Sequence, residues 1–401
     1  MNPLMARGTP ILTAVRGTTF RSLRHPNYRR YFAGQIVSFT GSWMQNAALM
    51  WLVFHLTDDP IWPPLLLVAQ VGPTVVLGPW GGALADRVPK RTLIFATQAA
   101  FLGHAVVLLA LVAAGWASPW GLVAVQVASG LIQAVDLPAR LAFVPALVPR
   151  ADLMNAVSLN SLLFNSARAV GPALAGGLFA AAGGVAGAAD AVVAGAVACF
   201  AVNAVSYAAV LRALRAIDVP GDGPGGDRGS VWDGFRYVLT RPPLAGLLTL
   251  TGLLCVFGWP ALSLFPEYTR RGLGHAEKEY SVLVSGLGAG ALAAALTTAT
   301  FGSVRRRGLF LAAGAAAAAA GLLALSAAGT LGAATAAAGC LGFGLILFLS
   351  TGQSAVQLSV TDATRGRVMA LWAMTLSASA PLGHLLAGRA AQEWPVRDVL
   401  F

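Results

Sequence analysis

The chain has 401 residues, of which 57% are hydrophobic and only 11% are charged, and its mean hydropathy is +0.70. A soluble domain is about half apolar and about a quarter charged, so this composition excludes an ordinary soluble globule. The net charge is +11 at neutral pH. The basic residues lie in short connectors between apolar blocks rather than on one solvated face, which argues against a nucleic-acid partner.

Apolar blocks of roughly 20 residues, the length that a helix needs to cross a bilayer, follow one another along the chain. They predict an all-α, polytopic membrane protein. We place eleven spans at approximately 31–56, 65–85, 92–114, 118–138, 155–180, 188–210, 244–266, 280–300, 308–328, 331–353 and 367–391. The Arg-rich residues 1–30 lack a long apolar core and predict a cytoplasmic tail, with a transit peptide as the alternative.

One connector is long, and it divides the chain into two parts. Residues 211–243 contain DVPGDGPGGDRGS, a composition that predicts a flexible linker. Before it lies a six-helix bundle at 31–210, the first half, and after it a bundle at 244–401 with five helices, the second half. Stretches such as GGALADRVPKR and FGSVRRRG recur one half apart and indicate an internal repeat. This repeat predicts a twelfth span beyond Phe401.

The positions of Lys and Arg predict the orientation in the membrane. With the amino terminus inside, 21 basic residues fall on inside segments and five fall on outside segments. Cytoplasmic loops carry such an excess, so we expect a cytoplasmic amino terminus and a plasma (inner) membrane location.

The sequence lacks the motifs of several classes of functional site. The three cysteines are far apart within apolar blocks, with no metal-binding spacing, so we expect neither a metal nor a cofactor. The chain lacks a G-x-x-x-x-G-K-[ST] loop, which excludes a primary pump of that class, and it lacks H-E-x-x-H or a convergent His/Asp cluster, so we do not expect an enzyme. The GLGAG stretch at 286–290 lies inside a span and follows no strand, so it does not predict a nucleotide site.

The stretch GGALADRVPKR at 81–91 concentrates charge between two apolar blocks. Gly82 allows close helix packing, and Arg87, Lys90 and Arg91 hold the loop on the cytoplasmic side. Asp86 is not needed for orientation. A carboxylate at a helix end pairs with Arg or meets the N-terminus of another helix, and a solvated turn is the equal alternative.

Span 5 contains a Gly/Pro stretch and a charged residue. GPALAGG supplies Gly171, Pro172, Gly176 and Gly177, which predict a kink and close helix contact, with ordinary small-residue packing as the alternative. Arg168 lies halfway along this span. An unpaired Arg in hydrocarbon costs at least roughly 2.5–3.5 kcal/mol, so it should face a cavity or a carboxylate.

Asp136 in span 4 is the candidate partner of Arg168, and it is also the first candidate for proton coupling. In the functional interpretation, Arg168 binds an anionic substrate or changes the proton affinity of Asp136. In the structural interpretation, Arg168 and Asp136 form a buried ion pair. His104 and His384 follow as weaker proton sites, since a lone membrane His is more often packed and neutral. Span 1 carries a polar and aromatic stripe that suits a cavity for bulky amphipathic molecules, formed by Gln35, Trp43, Gln45 and Asn46.

Two of these stretches carry a family resemblance. GGALADRVPKR resembles the loop signature of the major facilitator superfamily, G-x-L-x-D-R-x-G-R-[KR], and ARAVGPALAGG is similar to the helix-5 signature of its exporters, with Ala167 in place of the first glycine. SFTGSWMQNAALMWLVFHLTDDP and DLPARLAFVPALVPRADLMNA look like the drug and siderophore exporter branch, the enterobactin exporter-like group. The resemblance covers about residues 20–395.

The resemblance implies a transporter with two six-helix bundles that works by alternating access. It implies that Asp86 docks on the start of span 11 and on a nearby arginine as a cytoplasmic latch, and we expect that arginine to be Arg140. The gating residues would be Gly82, Asp86, Arg87, Lys90, Arg91, Arg140, Asp362 and Arg365.

We therefore expect a secondary active, proton-coupled exporter of small amphipathic molecules of the drug or siderophore class. Its partners would be a small-molecule substrate, protons and the lipid bilayer, and it would act as a monomer. The alternative is a transport-inactive sensor or scaffold of the same fold. Substrate-dependent efflux from vesicles would separate the two.

Overall fold

The computed structural model describes residues 20–184, 188–217, 236–301, 307–360 and 362–400. Within these ranges the chain forms helices and turns and contains no strand. Some side chains inside helices also lie outside the described part, and three of them carry predictions: Asp86, Asp362 and Arg365.

Ten of the eleven predicted spans each fall on one long helix. The helices of the first half are α1 (Pro26–Thr57), α2 (Trp62–Arg87), α3 (Lys90–Ala113), α4 (Pro119–Leu147), α5 (Leu153–Gly183) and α6 (Ala188–Arg215). Those of the second half are α7 (Pro242–Gly258), α8 (Pro260–Glu267), α9 (Glu277–Phe301), α10 (Arg307–Ala327), α11 (Leu331–Ser359), α12 (Asp362–Glu393) and the short α13 (Val396–Leu400). α7 and α8 occupy one predicted span, which is interrupted at Trp259.

The first helix begins earlier than the sequence suggested. Pro26 fits the first turn of a helix, so α1 extends into the predicted tail. The preceding turn is folded onto the start of α5, where Arg21 Nε and His25 Nε2 each lie 2.7 Å from the Asp152 carboxylate. The tail boundary at residue 30 therefore needs correction. The predicted linker is shorter at its start, because α6 continues to Arg215, and its residues 218–235 lie outside the described part.

Seven described helices are long and apolar enough to cross a membrane by length and composition. The halves are in contact where α5 packs on α9 and where α12 packs on α2.

Helix pairing recurs between the halves. α2 packs on α4 as α9 packs on α11, and α1 packs on α5 as α7 packs on α12. In the first half α6 covers α1 and α3. The corresponding surface of the second half, on α7 and α10, holds an apolar groove of about 490 Å³ lined by residues such as Leu250, Phe257, Leu311 and Phe348.

Among the described residues, the halves share an apolar core at one end of the bundle only. The largest apolar core contains residues of both halves, such as Trp51 and Phe265. Where α1 begins, one smaller core around Phe143 contains first-half residues alone, and another around Trp372 contains second-half residues alone. The halves are thus packed together where α1 ends and have separate cores where α1 begins.

Candidate functional site

A buried polar cluster joins α1, α3 and α4 inside the first half. The Asp136 side chain is 1% exposed, and it accepts hydrogen bonds from Thr97 Oγ1 at 2.5 Å and from Gln98 Nε2 at 2.9 Å. Arg140, one turn along α4, forms an ion pair with Asp136 and donates to the amide oxygen of Gln35. We call these five residues the coupling cluster.

The coupling cluster holds a buried carboxylate against a guanidinium. Both carboxylate oxygens of Asp136 are hydrogen-bonded, so the buried charge is well compensated. A proton added to Asp136 would cancel the charge that holds Arg140. The guanidinium also lies 4.8 Å from the centre of the Phe39 ring. Loss of the ion pair would therefore free a cation beside an aromatic surface on α1.

Arg168 does not pair with Asp136. Asp136 is already bound to Arg140 on its own helix, an i,i+4 arrangement that needs no approach between α4 and α5. The Arg168 side chain instead lies among three aromatic rings, with its Cζ atom 5.0 Å from the centre of Trp43, 5.1 Å from Phe164 and 4.9 Å from Trp259. An aromatic cage around Arg168 thus takes the place of the ion pair with Asp136 that the sequence suggested.

The residues of the polar and aromatic stripe predicted on α1 contact different parts of the structure. Gln35 belongs to the coupling cluster and Trp43 to the Arg168 cage. The Gln45 oxygen accepts a hydrogen bond of 2.8 Å from Asn203 on α6, which places Gln45 inside the first half rather than between the halves. Asn46 is half-buried. The stripe is therefore not one continuous cavity wall.

The Gly/Pro stretch of α5 makes close contacts on two sides. A methyl group at Gly171 would lie 2.7 Å from Trp43 Cβ on α1, and one at Gly176 would lie 2.6 Å from Ser281 Cβ on α9. Gly177 faces open space. α5 continues without a break through Pro172. The stretch thus packs α5 within the first half and against the second half at once.

An ionic network joins the halves where α1 ends. Asp58 Oδ1 lies 3.2 Å from Arg270 Nη1 and 3.2 Å from Arg271 Nη2, and Arg271 also pairs with Glu267 at 3.2 Å. The amide of Gln392 on α12 donates to the neighbouring Asp59 at 3.0 and 3.1 Å. Nearby, Trp51 stacks on Tyr280 with ring centres 5.3 Å apart. We call these ion pairs and hydrogen bonds the outer network.

Comparison with known proteins identifies the family. The profile of the transmembrane secretion effectors matches residues 17–401, nearly the whole chain. The chain belongs to this family of major facilitator transporters. It is therefore a multi-pass membrane protein of a transporter family.

Individual relatives point to the exporter branch. The enterobactin exporter EntS of Citrobacter koseri is 26% identical over 392 residues, which cover 93% of this chain and 87% of that protein. The staphyloferrin A transporter of Staphylococcus aureus is 27% identical over 151 residues, 37% of this chain and 38% of that protein. The MFS-type transporter YfiS of Bacillus subtilis is 33% identical over 150 residues, 37% of this chain and 35% of that protein. The chain thus aligns with little more than a third of the length of these last two relatives.

A solved structure agrees in fold. The bacterial homologue of the human lysosomal transporter Spinster, in an inward-facing and unoccupied conformation, matches with a TM-score of 0.70 at 15% identity. The match covers 92% of this chain and 83% of that one. At this level of identity the likeness shows the major facilitator fold.

The predicted latch of this transporter is only partly described. Arg91 Nε and Nη2 donate to the carbonyls of Leu214 and Arg215 at 3.3 and 3.0 Å, so Arg91 caps the C-terminus of α6. Gly82 is buried and Arg87 is exposed, while Lys90 is half-buried. Arg140 lies in the coupling cluster. The contacts of Asp86, Asp362 and Arg365 fall outside the described side chains, so the latch stays a prediction.

The two candidate histidines of the transporter are buried in different settings. His384 Nδ1 lies 2.9 Å from Ser263 Oγ, between α12 and α8. His104 is 8% exposed, and its Nε2 atom has no hydrogen-bond partner among the described residues. Neither histidine is paired with a carboxylate among the described side chains.

Sequence reasoning missed the residues that complete these sites. Thr97, Gln98 and Trp259 lie in apolar blocks with no motif around them, so only the helix packing reveals them. The outer network had a usable signal, because the acidic pair at 58–59 ends one span and the basic pair at 270–271 ends another. Charges at the same predicted end of two spans are candidates for pairing.

Proposed function

We propose that the protein is a secondary active exporter that moves small amphipathic molecules of the drug or siderophore class in exchange for protons. It would lie in the inner membrane with a cytoplasmic amino terminus and work by alternating access. The coupling cluster is the observation that carries this proposal. It contains the buried carboxylate that an antiporter needs, held beside a cation whose pairing depends on that carboxylate being charged.

The arrangement of the cores supports alternating access. With the amino terminus inside, the separate cores lie at the cytoplasmic end and the shared core lies at the outer end. We take this arrangement as support for an inward-open state closed by the outer network. Protonation and release of Asp136, with rearrangement of Arg140, would bias the halves between this state and the opposite one.

Proton flux in proteoliposomes tests the proposal. We expect compounds of an amphipathic panel to drive proton movement in wild-type vesicles, and we expect this response to disappear in Asp136→Asn. The matched control is Asp152→Asn, which removes a carboxylate paired with Arg21 outside the membrane core. Vesicles in which no compound moves and none drives proton flux would refute the proposal in favour of a transport-inactive sensor or scaffold.

The cytoplasmic latch is proposed as the gate of this exporter. Asp86→Asn should slow transport while membrane insertion stays normal, because only the state closed at the cytoplasmic side would lose a contact. Glu393→Gln is the matched control, since Glu393 forms an exposed pair with Arg389 3.4 Å away at the other end of α12. Transport at the wild-type rate by Asp86→Asn would remove the latch from the mechanism.

A further inference from the structure

Arg168 is fixed midway along a helix that contacts both halves. It lies fifteen residues from either end of α5 and is 5% exposed. Its own carbonyl and the Ala169 backbone are in close contact with α9, where a methyl group at Gly288 would lie 2.7 Å from the Arg168 oxygen. The guanidinium is therefore positioned by packing and not by a flexible loop.

The cage around Arg168 is built by both halves. Trp43 and Phe164 come from α1 and α5, whereas Trp259 comes from the break between α7 and α8. Aromatic faces stabilise a buried cation without neutralising its charge. All three rings remain half-buried, so each keeps some surface that a ligand can cover.

The charge of Arg168 has no counter-ion among the described side chains. The buried carboxylates of the described membrane helices are engaged elsewhere, Asp136 with Arg140 and Glu267 with Arg271. Nε and Nη1 of Arg168 are buried and make no hydrogen bond. The contrast with Arg140, which binds a carboxylate and an amide, makes Arg168 the unsatisfied cation of the described membrane interior.

An aromatic path leads from the coupling cluster to this cage. The Arg140 guanidinium lies over Phe39, the Phe39 ring meets Phe164 edge-on at 5.6 Å, and Phe164 meets Trp43 edge-on at 5.7 Å. A flat aromatic ligand can pack on such rings. Its carboxylate would supply the planar acceptor that a guanidinium binds best.

We propose that Arg168 and its aromatic cage recognise an aromatic carboxylate as the substrate of this transporter. The inference rests on the proposed export function and narrows its substrate class. The carboxylate accepts hydrogen bonds from Arg168, and the substrate ring packs against Trp43, Phe164 or Trp259. Because Trp259 belongs to the second half, ligand binding also involves the interface that moves during transport.

Binding of matched probes to the purified full-length protein tests this assignment. The probes are 1-naphthoate and 1-naphthamide, which share a ring system and differ in the anionic group. By calorimetry, wild-type protein should bind the acid at least tenfold more tightly than the amide. Arg168→Met should lose that preference, and Arg168→Lys should keep part of it because the charge remains while the planar donor group is lost.

Controls separate ligand recognition from folding. Arg241→Met removes another arginine that lies over an aromatic ring, 3.6 Å from the centre of Tyr237, but at an exposed helix start, and it should leave binding unchanged. Arg168→Met should melt at or above the wild-type temperature without ligand, since it removes an unpaired buried charge. If Arg168→Met does not fold, the wild-type preference and Arg168→Lys still decide the question.

Equal binding of acid and amide by wild-type protein would overturn the assignment, as would an unchanged acid preference in Arg168→Met. These results are independent of the flux assay. Acid-selective binding without any proton-coupled flux would refute the proposed export cycle alone. Proton-coupled flux of neutral or cationic compounds without acid selectivity would refute the assignment of Arg168 alone.

Discussion

The helices before the linker and those after it bury polar groups in different ways. Among the described residues, fifteen buried polar or charged residues precede the linker and seven follow it. Side chains of the first half bond across helices, as Asp136 does with Thr97 and Asn203 does with Gln45. In the second half, Ser263 and His384 make one bond of this kind between α8 and α12, whereas Thr251 bonds to the carbonyl of Leu247 one turn back in its own helix.

Small residues hold the helices of the second half together. A methyl group at Gly290 of α9 would overlap the carbonyl of Gly339 on α11, and one at Gly314 of α10 would lie 2.7 Å from the Phe348 nitrogen. Such packing fixes helices at short distance without polar groups. The comparison teaches that polar contacts between helices are concentrated in the first half, whereas small residues pack the second half, which meets the first at the Arg168 cage and the outer network.

The largest effect should come from breaking the buried ion pair of the first half. Arg140→Met leaves Asp136 buried without its cation, which should cost about 3–5 kcal/mol of unfolding free energy. The double variant Asp136→Asn/Arg140→Met should recover most of that loss, because the uncompensated charge is gone. Denaturant unfolding of the purified variants measures both values. Equal losses in the single and double variants would contradict a paired charge at this position.

In the second half the largest effect should come from a small residue. Gly290→Val forces α9 away from the α11 backbone, and overpacking of this kind should cost about 3 kcal/mol. Gly177→Val on α5 is the matched control, since a side chain there meets open space. Melting temperatures should fall for the first variant and stay close to wild type for the second. Similar temperatures for both would mean that the α9–α11 contact is not tight.

Removing a hydrogen bond across helices should matter more than removing one within a helix. Asn203→Leu leaves the buried Gln45 oxygen without its donor and should cost about 1–3 kcal/mol, whereas Thr251→Val removes a bond within one helix and should cost less than about 1 kcal/mol. Unfolding experiments on the two variants measure the difference. A larger loss of unfolding free energy in Thr251→Val than in Asn203→Leu would contradict this difference between the halves.

The smallest effect should come from the outer network, whose charged groups are partly exposed. Asp58 is 56% exposed and Arg271 47%, so the pair should contribute less than about 1 kcal/mol. Asp58→Asn should therefore change the population of the outward-open state by less than about fivefold. Distances between spin labels at the exposed positions Trp116 and Gly329, in a background without native cysteines, report that population. A complete shift to the outward-open state would show that the network is the main lock.

The sequence was sufficient for the helices and their order, because each span is a long apolar block. It also singled out Asp136 and Arg168, since charges in such blocks are costly, whereas Arg140 entered only through the family resemblance. It could not assign their partners. Asp136 was matched with Arg168, whereas the i,i+4 neighbour Arg140 takes that place. Which helix faces meet depends on close contacts such as Gly171 against Trp43, and periodicity along one helix does not encode its neighbour.

The most direct test of the central claim separates proton-driven accumulation from substrate exchange in the same vesicles. Under an imposed pH gradient, vesicles with wild-type protein should accumulate a transported compound against its concentration gradient. Asp136→Asn should accumulate at least tenfold less, while its exchange of labelled for unlabelled compound without a gradient stays within about twofold of wild type. Accumulation by Asp136→Asn at the wild-type level would contradict the assignment of proton coupling to the buried cluster of the first half.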